Sequence, residues 1–169
     1  MRTKSDVFSI FVGLLSIVLA SCSEKEGYSC FHHIENGKWY RNSPLVFTID
    51  SLTPSQGTGY EVTVELTTNR SYPYRDLWLQ IEQDLTDSLI RTDTLRCLLA
   101  DEYGRWLGSG IGGLNQLSLP YRSFIPRDSM YHYRLTIRQA MGDELLRGVE
   151  KVGIKLVEVR SNTHRHWGS

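Results

Sequence analysis

Between Tyr60 and Gln83 the chain reads YEVTVELTTNRSYPYRDLWLQIEQ, and no other stretch restricts the fold as much. Tyr60, Val62, Val64 and Leu66 alternate with Glu61, Thr63, Glu65 and Thr67, the period of two expected of a strand with one buried face. A turn-rich connection containing Pro73 follows. Leu77, Leu79 and Ile81 then alternate with Trp78, Gln80 and Glu82 to give a second strand of the same kind.

The remainder repeats this grammar of short strand and turn. Leu45, Phe47 and Ile49 mark an early strand, and Ser51 to Gly59 is a loop punctuated by Pro54, Gly57 and Gly59. Asp84 to Asp93 reads as a polar connection, and Leu95, Cys97 and Leu99 as the next strand face. Asp101-Glu102-Tyr103-Gly104 reads as a hairpin turn, with Arg105-Trp106-Leu107 starting the return strand. Leu114 to Pro120 is strand-like and ended by its proline, and Pro126 to Ser129 is a turn. Tyr131, Tyr133, Leu135 and Ile137 form a clean strand, and Val152, Ile154 and Leu156 the last one. Met141 to Val149 alone has helix-forming composition, enough for a turn or two. The expected fold is all-β: an antiparallel β-sandwich with Greek-key-like connections.

The N-terminus reads differently. Arg2 and Lys4 precede an almost unbroken apolar run from Val7 to Leu19, shorter than the roughly 20 residues that a membrane-spanning helix needs. That pattern is a secretory signal. Leu19-Ala20-Ser21-Cys22 resembles the lipobox of bacterial lipoproteins, which places signal cleavage before Cys22 and acylation on its thiol. Ser23 after the cysteine resembles the pattern sorted to the outer membrane. The expected organisation is a lipoprotein signal peptide over residues 1–21, a tether over 22–27, a β-sandwich domain over 28–159 and a polar tail over 160–169. Export places Cys30 and Cys97 where a disulfide can persist. A bridge between them and two small buried thiols are both compatible with the sequence. With 19 Lys+Arg against 19 Asp+Glu, charge gives no reason to expect a nucleic-acid partner.

Reactive constellations are sparse. Gly108, Gly110 and Gly113 spell the letters of a dinucleotide fingerprint, but the mechanism requires a helix to follow, and Leu114 to Pro120 is strand-like. His32-His33 and His164/His166 lack further ligands at metal-binding spacing. The pairs Asp84/Asp87 and Asp101/Glu102 lie in turn-like runs, where solvation and turn formation account for them. Ser109 lacks the framing of a nucleophile elbow. The expectation is a non-enzymatic protein with no catalytic residues, cofactor or metal. Large rings stand in or beside connections at Tyr72, Tyr74, Trp78 and Trp106, where each needs a corner to fill or a partner to meet. Tyr72, Trp78 and Trp106 are the candidate partner contacts. Pro73 sends Tyr72 and Tyr74 to opposite sides, and Tyr74 is expected to be the buried ring.

Three runs together resemble the gliding motility lipoprotein GldH family: Ser71-Tyr-Pro-Tyr-Arg-Asp-Leu-Trp-Leu79, Asp93-Thr94 with Leu99-Ala-Asp-Glu-Tyr-Gly-Arg-Trp-Leu-Gly108, and Ile137-Arg-Gln-Ala-Met141 with Leu146-Arg-Gly-Val149 and Val152-Gly-Ile154. Asp76 departs from an expected Asn while keeping turn chemistry. The resemblance implies a lipid-anchored envelope protein of the Bacteroidota, held in the membrane through acylated Cys22. It further implies a contribution to the gliding and type IX secretion machinery as a structural or assembly component among other envelope proteins. It supplies no catalytic residues. The alternative reading is a glycan-binding envelope lipoprotein, since exposed rings on a sandwich suit sugar stacking.

Overall fold

The computed structural model describes residues 27–52, 57–86, 89–125 and 131–160. The signal segment, Cys22, residues 23–26 of the tether, Pro54, Asp87, the Pro126 to Ser129 turn, His164 and His166 lie outside the described residues. Eleven strands follow in order: β1 (Tyr28–His33), β2 (Lys38–Tyr40), β3 (Leu45–Leu52), β4 (Thr58–Asn69), β5 (Asp76–Thr86), β6 (Leu89–Leu98), β7 (Ser109–Ile111), β8 (Leu114–Phe124), β9 (Tyr131–Gln139), β10 (Leu145–Arg147) and β11 (Val149–Arg160). Among the described residues the one helical piece is a 3-10 turn at Glu35–Gly37.

The strands build a five-stranded sheet in the order β1-β11-β4-β8-β7, a four-stranded sheet in the order β3-β9-β5-β6, and a small β10-β2 ribbon. Every ladder is antiparallel. Four pairings, β1 with β11, β3 with β9, β4 with β8 and β5 with β6, make one long hairpin that runs out through β5 and returns from β6. Wrapping that hairpin on itself brings β11 beside β4 and β9 beside β5. The result is a jelly roll, two interlocked Greek keys in two facing sheets. The all-β sandwich expected from the alternation is present in this more specific form.

Both central strands bury the faces their alternation marked. Val62, Val64 and Leu66 of β4 meet Leu77, Leu79 and Ile81 of β5 in one apolar cluster with Phe47, Leu135, Ile137, Val152, Ile154 and Leu156. Each such side chain contributes roughly 1.5–3 kcal/mol relative to exposure. The β2–β10 ribbon closes one end: Trp39 is buried, its indole N–H donates to the Ser43 carbonyl at 2.9 Å, and Leu146 packs beside it in the same cluster.

Four sequence expectations are corrected. Met141 to Val149 forms no helix; Leu145–Arg147 pairs with Lys38–Tyr40, and Gly148 turns the chain at φ +82° into β11. Asp84 to Asp93 is not a connection but the far part of the β5–β6 hairpin, save residues 87–88, which are not described. Its inward positions Gln83 and Asp93 are polar, which hid the strand pattern. Their side chains are satisfied inside: Gln83 Nε2 donates to Asp93 at 2.9 Å, and the Tyr133 hydroxyl donates to Gln83 Oε1 at 2.9 Å. Pro120 does not end its strand, because β8 continues to Phe124 past a register shift opposite Val62 and Thr63. The shift lets a residue without an N–H be accommodated and turns both Tyr121 and Arg122 toward Gln83. Arg105 to Leu107 forms no strand: it makes the single bridge Ala100–Trp106, with Leu107 N–H donating to the Leu99 carbonyl and Asp101 N–H to the Arg105 carbonyl, each at 2.9 Å.

The disulfide between Cys30 and Cys97 is not formed, and both thiols are free. Topology explains why. β1 packs over β3, with the Tyr28 hydroxyl donating to the Thr48 carbonyl at 3.2 Å. Cys97 lies on β6, the opposite edge of the four-stranded sheet. Strand spacing of about 4.8 Å puts the two far beyond the roughly 7 Å Cα limit for a bridge.

A close backbone approach at Gly148 generates a stability prediction. A Cβ at Gly148 would lie 2.3 Å from the Tyr72 nitrogen, on top of a left-handed φ, whereas one at Gly142 meets nothing within 4 Å. Gly148→Ala should lower unfolding free energy by about 3 kcal/mol or more, and Gly142→Ala should change it by under about 0.5 kcal/mol, as read from denaturant melts.

Candidate interaction surface

Three connections meet at the end of the sandwich closed by the β2–β10 ribbon, and each is held by its own polar chemistry. In the β4–β5 connection, the Asn69 side-chain oxygen accepts from the Ser71 N–H at 2.7 Å, and the Asn69 N–H donates to the Gly148 carbonyl at 2.9 Å. The Arg75 carbonyl then accepts from both Leu99 and Ala100 at 2.8 and 3.0 Å, tying this connection to the one after β6. That second loop is organised by Asp101. Its carboxylate accepts from the Tyr103 and Arg105 N–H groups at 2.9 Å each and from Arg105 Nε at 2.7 Å. The Arg105 and Tyr103 donors hold the Asp101 pKa below the usual carboxylate range. The third connection, after β9, joins the others through Trp78: its carbonyl accepts from Ala140 at 2.7 Å, and its N–H points at the Met141 sulfur, 3.3 Å away.

Pro73 does separate its flanking rings, in the opposite sense to the expectation. Tyr72 is the buried one, at 4% exposure, and its hydroxyl donates to the Asp76 carbonyl at 2.7 Å. Tyr74 is 38% exposed, with its hydroxyl 2.5 Å from Asp143. Tyr72 is therefore corrected from partner contact to core. Burial, together with the nearby Asp76 carboxylate, drives its pKa upward. Trp106, expected as the contact residue, is half-buried and packs against the core cluster. Trp78 lies on the outer face of the four-stranded sheet at 38% exposure, with the Arg96 guanidinium 5.6 Å from its ring centre. Arg96 also bonds Asp76 at 2.9 Å, and beside that pair Leu98 stands 40% exposed.

Met141, Trp78, Arg96 and Leu98 are thus linked on the outer face of the four-stranded sheet, and Tyr74 stands exposed on the adjoining β4–β5 connection. Sequence reasoning missed Tyr74 because alternation does not run through a proline turn. It missed Leu98 although its position, between Cys97 and Leu99, already put it on the outward phase. The surface mixes ring, aliphatic and paired charge.

The remaining candidates resolve into structure. Gly112 and Gly113 take φ +64° and +86° in the β7–β8 turn, and a strand follows them where a nucleotide site needs a helix. His32 is partly buried, its Nε2 2.9 Å from the Val46 carbonyl and its ring edge-on to Phe47 at 4.7 Å. His33 is exposed. Among the described residues no three His, Cys, Asp or Glu side chains converge on a metal position.

Fold and surface define an antiparallel jelly-roll domain whose loop end carries exposed rings. The family model of the GldH lipoproteins matches residues 26–156, and the chain belongs to that family. It is 27% identical over 157 residues to the gliding motility lipoprotein GldH homolog of Christiangramia forsetii, covering 88% of this chain and 94% of that protein. Against gliding motility lipoprotein GldH of Flavobacterium johnsoniae, identity is 24% over 148 residues, covering 85% and 91%. Among solved structures, dimeric latent PorU from Porphyromonas gingivalis superposes with a TM-score of 0.36 at 11% identity, over 83% of this chain and 14% of that one.

Two outcomes follow from the placement of the rings and of Cys97. Tyr72→Ala should cost roughly 3–5 kcal/mol of stability, while Tyr74→Ala should change it by less than about 1 kcal/mol. The Cys97 thiol is pushed up to about 12 by burial, with the Asp76 charge adding to it. A folded-state pKa above the unfolded value near 8.5 means its contribution is complete below that pH and is lost as pH rises toward 12. Burial also raises Tyr72 and Tyr121, whose unfolded values lie near 10. Melting temperature should therefore hold steady to about pH 8 and fall progressively above it, with the first part of the fall removed in Cys97→Ala.

Proposed function

We propose that this protein is a non-enzymatic envelope lipoprotein that serves the gliding and type IX secretion machinery as an assembly component. In this reading residues 1–21 are a cleaved signal, Cys22 carries the lipid in the outer membrane, residues 22–27 are a tether and residues 28–159 are the working domain. The observation that carries it is membership of the GldH lipoprotein family over residues 26–156, with both curated relatives named for gliding motility. The surface of Tyr74, Trp78 and Leu98 supports a docking role, because rings and arginine dominate the centres of protein interfaces. The Tyr74 hydroxyl is held by Asp143, and the Trp78 ring has the Arg96 guanidinium 5.6 Å from its centre, before any partner arrives, which reduces the ordering cost of association. The domain meets envelope proteins through this face while the acyl chains retain it at the membrane.

The test is purification of the lipidated protein from its own membranes under mild detergent. Motility or secretion components should accompany the natural protein, and Trp78→Ala should weaken that association by about 2 kcal/mol while leaving the melt nearly unchanged. Recovery of the same components with Trp78→Ala and Leu98→Ser would remove this face from the interface. Recovery of none with the natural protein would overturn the assembly role. Separately, Cys22→Ala should abolish metabolic labelling with fatty acid, since the anchor depends on that thiol. Persistent labelling would move the anchor elsewhere.

A further inference from the structure

A second feature of the loop end lies away from the Trp78 face, at the edge of the five-stranded sheet. There a cleft of about 380 Å³ is lined by Arg70, Trp106, the glycines of the β7–β8 hairpin, Leu114 and Asn115. Three observations point to a ligand. Arg70 is exposed at the β4–β5 turn and, among the described residues, pairs with no carboxylate. Its Nε lies 3.6 Å from the position a Cβ would take at Gly113, so the bare hairpin lets the guanidinium lie along the cleft. Trp106 packs against the core cluster and, half-buried, also borders the cleft.

The third observation is Gly110. Gly112 and Gly113 are required by the turn, and Gly108 by a Gln116 carbonyl that would lie 1.9 Å from its Cβ. Gly110 answers to neither demand: its φ is ordinary, and a Cβ there would meet Asn115 Oδ1 at 3.4 Å, a normal contact. A glycine inside a strand weakens it and often marks a bulge, a bend or a site where a ligand or another backbone comes close. What Gly110 leaves bare is part of the cleft wall.

We infer that this cleft binds a carboxylated pyranose, the uronic-acid class of sugar residue. The indole supplies a stacking surface for the ring, the unpaired guanidinium takes the carboxylate as a charge-assisted pair, and the Asn115 amide meets hydroxyls. The bare strand leaves room for a chair-shaped ring to lay one C–H face against Trp106, whereas an extended acidic peptide would make little use of an aromatic neighbour. Arg70 is exposed, so its contribution falls with ionic strength.

The experiment uses the full-length lipidated protein in detergent, titrated calorimetrically with tetragalacturonate, with the neutral galactose tetramer and with tetraglutamate. Tetragalacturonate should bind about tenfold or more tightly than either control at low salt, and the margin over the neutral sugar should shrink in about 0.5 M sodium chloride. Arg70→Gln should erase that margin. Gly110→Ala should weaken both sugars about fivefold while its melting temperature stays within about 2 °C, separating loss of the site from loss of fold. Trp78→Ala should leave sugar binding unchanged. Equal affinity for the two sugars, no binding of either, tighter binding of tetraglutamate, or an undiminished margin in Arg70→Gln would overturn the assignment.

Discussion

The ladder between β4 and β11 is the constraint on which the rest of the structure depends. It joins the middle of the domain to its C-terminal strand, with Tyr60 opposite Glu158 and Thr68 opposite Val149. Together with the β5–β9 ladder it holds the long hairpin wrapped, so that each arm takes its apolar face out of water. With it Val62, Val64 and Leu66 lie beside Leu156, Ile154 and Val152, forming half of the core. Such pairing is non-local, so loop-closure entropy is lost before the contacts form, and slow folding is the expected kinetic consequence.

Polar chemistry then divides the sandwich into two ends. Toward Gln83 the sheets enclose a network in which Gln83, Asp93, Tyr121 and Tyr133 satisfy one another. Burial acts to raise the Asp93 pKa, but hydrogen bonds from Arg91 and Tyr121 outweigh it and hold the carboxylate low. A satisfied interior network of this kind specifies which residues face each other more than it adds stability. At the opposite end hydrogen bonds are invested in loops: Asp101, Asn69 and Gln139 each bind backbone of their own connection. Exposed rings on those loops therefore sit on a rigid frame.

Most of the residues in the runs that resemble the GldH family converge at that loop end, while Asp93-Thr94 lies toward Gln83. Ser71 to Leu79, Leu99 to Gly108 and Ile137 to Val149 are distant in the chain. They are joined by bonds from Leu99 and Ala100 to Arg75, from Ala140 to Trp78 and from Asn69 to Gly148. The proposed docking face on the four-stranded sheet and the proposed arginine–indole cleft on the other therefore share one end of the scaffold.

By itself the sequence determined the fold class, since alternation at Tyr60–Leu66, Leu77–Ile81 and Tyr133–Ile137 can bury one face only as strands in stacked sheets. It also determined that Trp78 lies outside, because Leu77 and Leu79 occupy the inward phase. Tertiary structure alone decided the features that alternation cannot carry. Gln83 and Asp93 look like loop residues until Tyr121 and Tyr133 arrive from other strands to satisfy them. Leu145–Arg147 has helical composition, yet the edge of β2 makes it a strand. Tyr72 and Tyr74 differ by one turn of a proline-fixed backbone, and Gly148, where a Cβ would lie 2.3 Å from the Tyr72 nitrogen, lets the two segments approach. Local pattern reports the periodicity of one strand, whereas these outcomes belong to contacts between segments that meet only after the hairpin has wrapped.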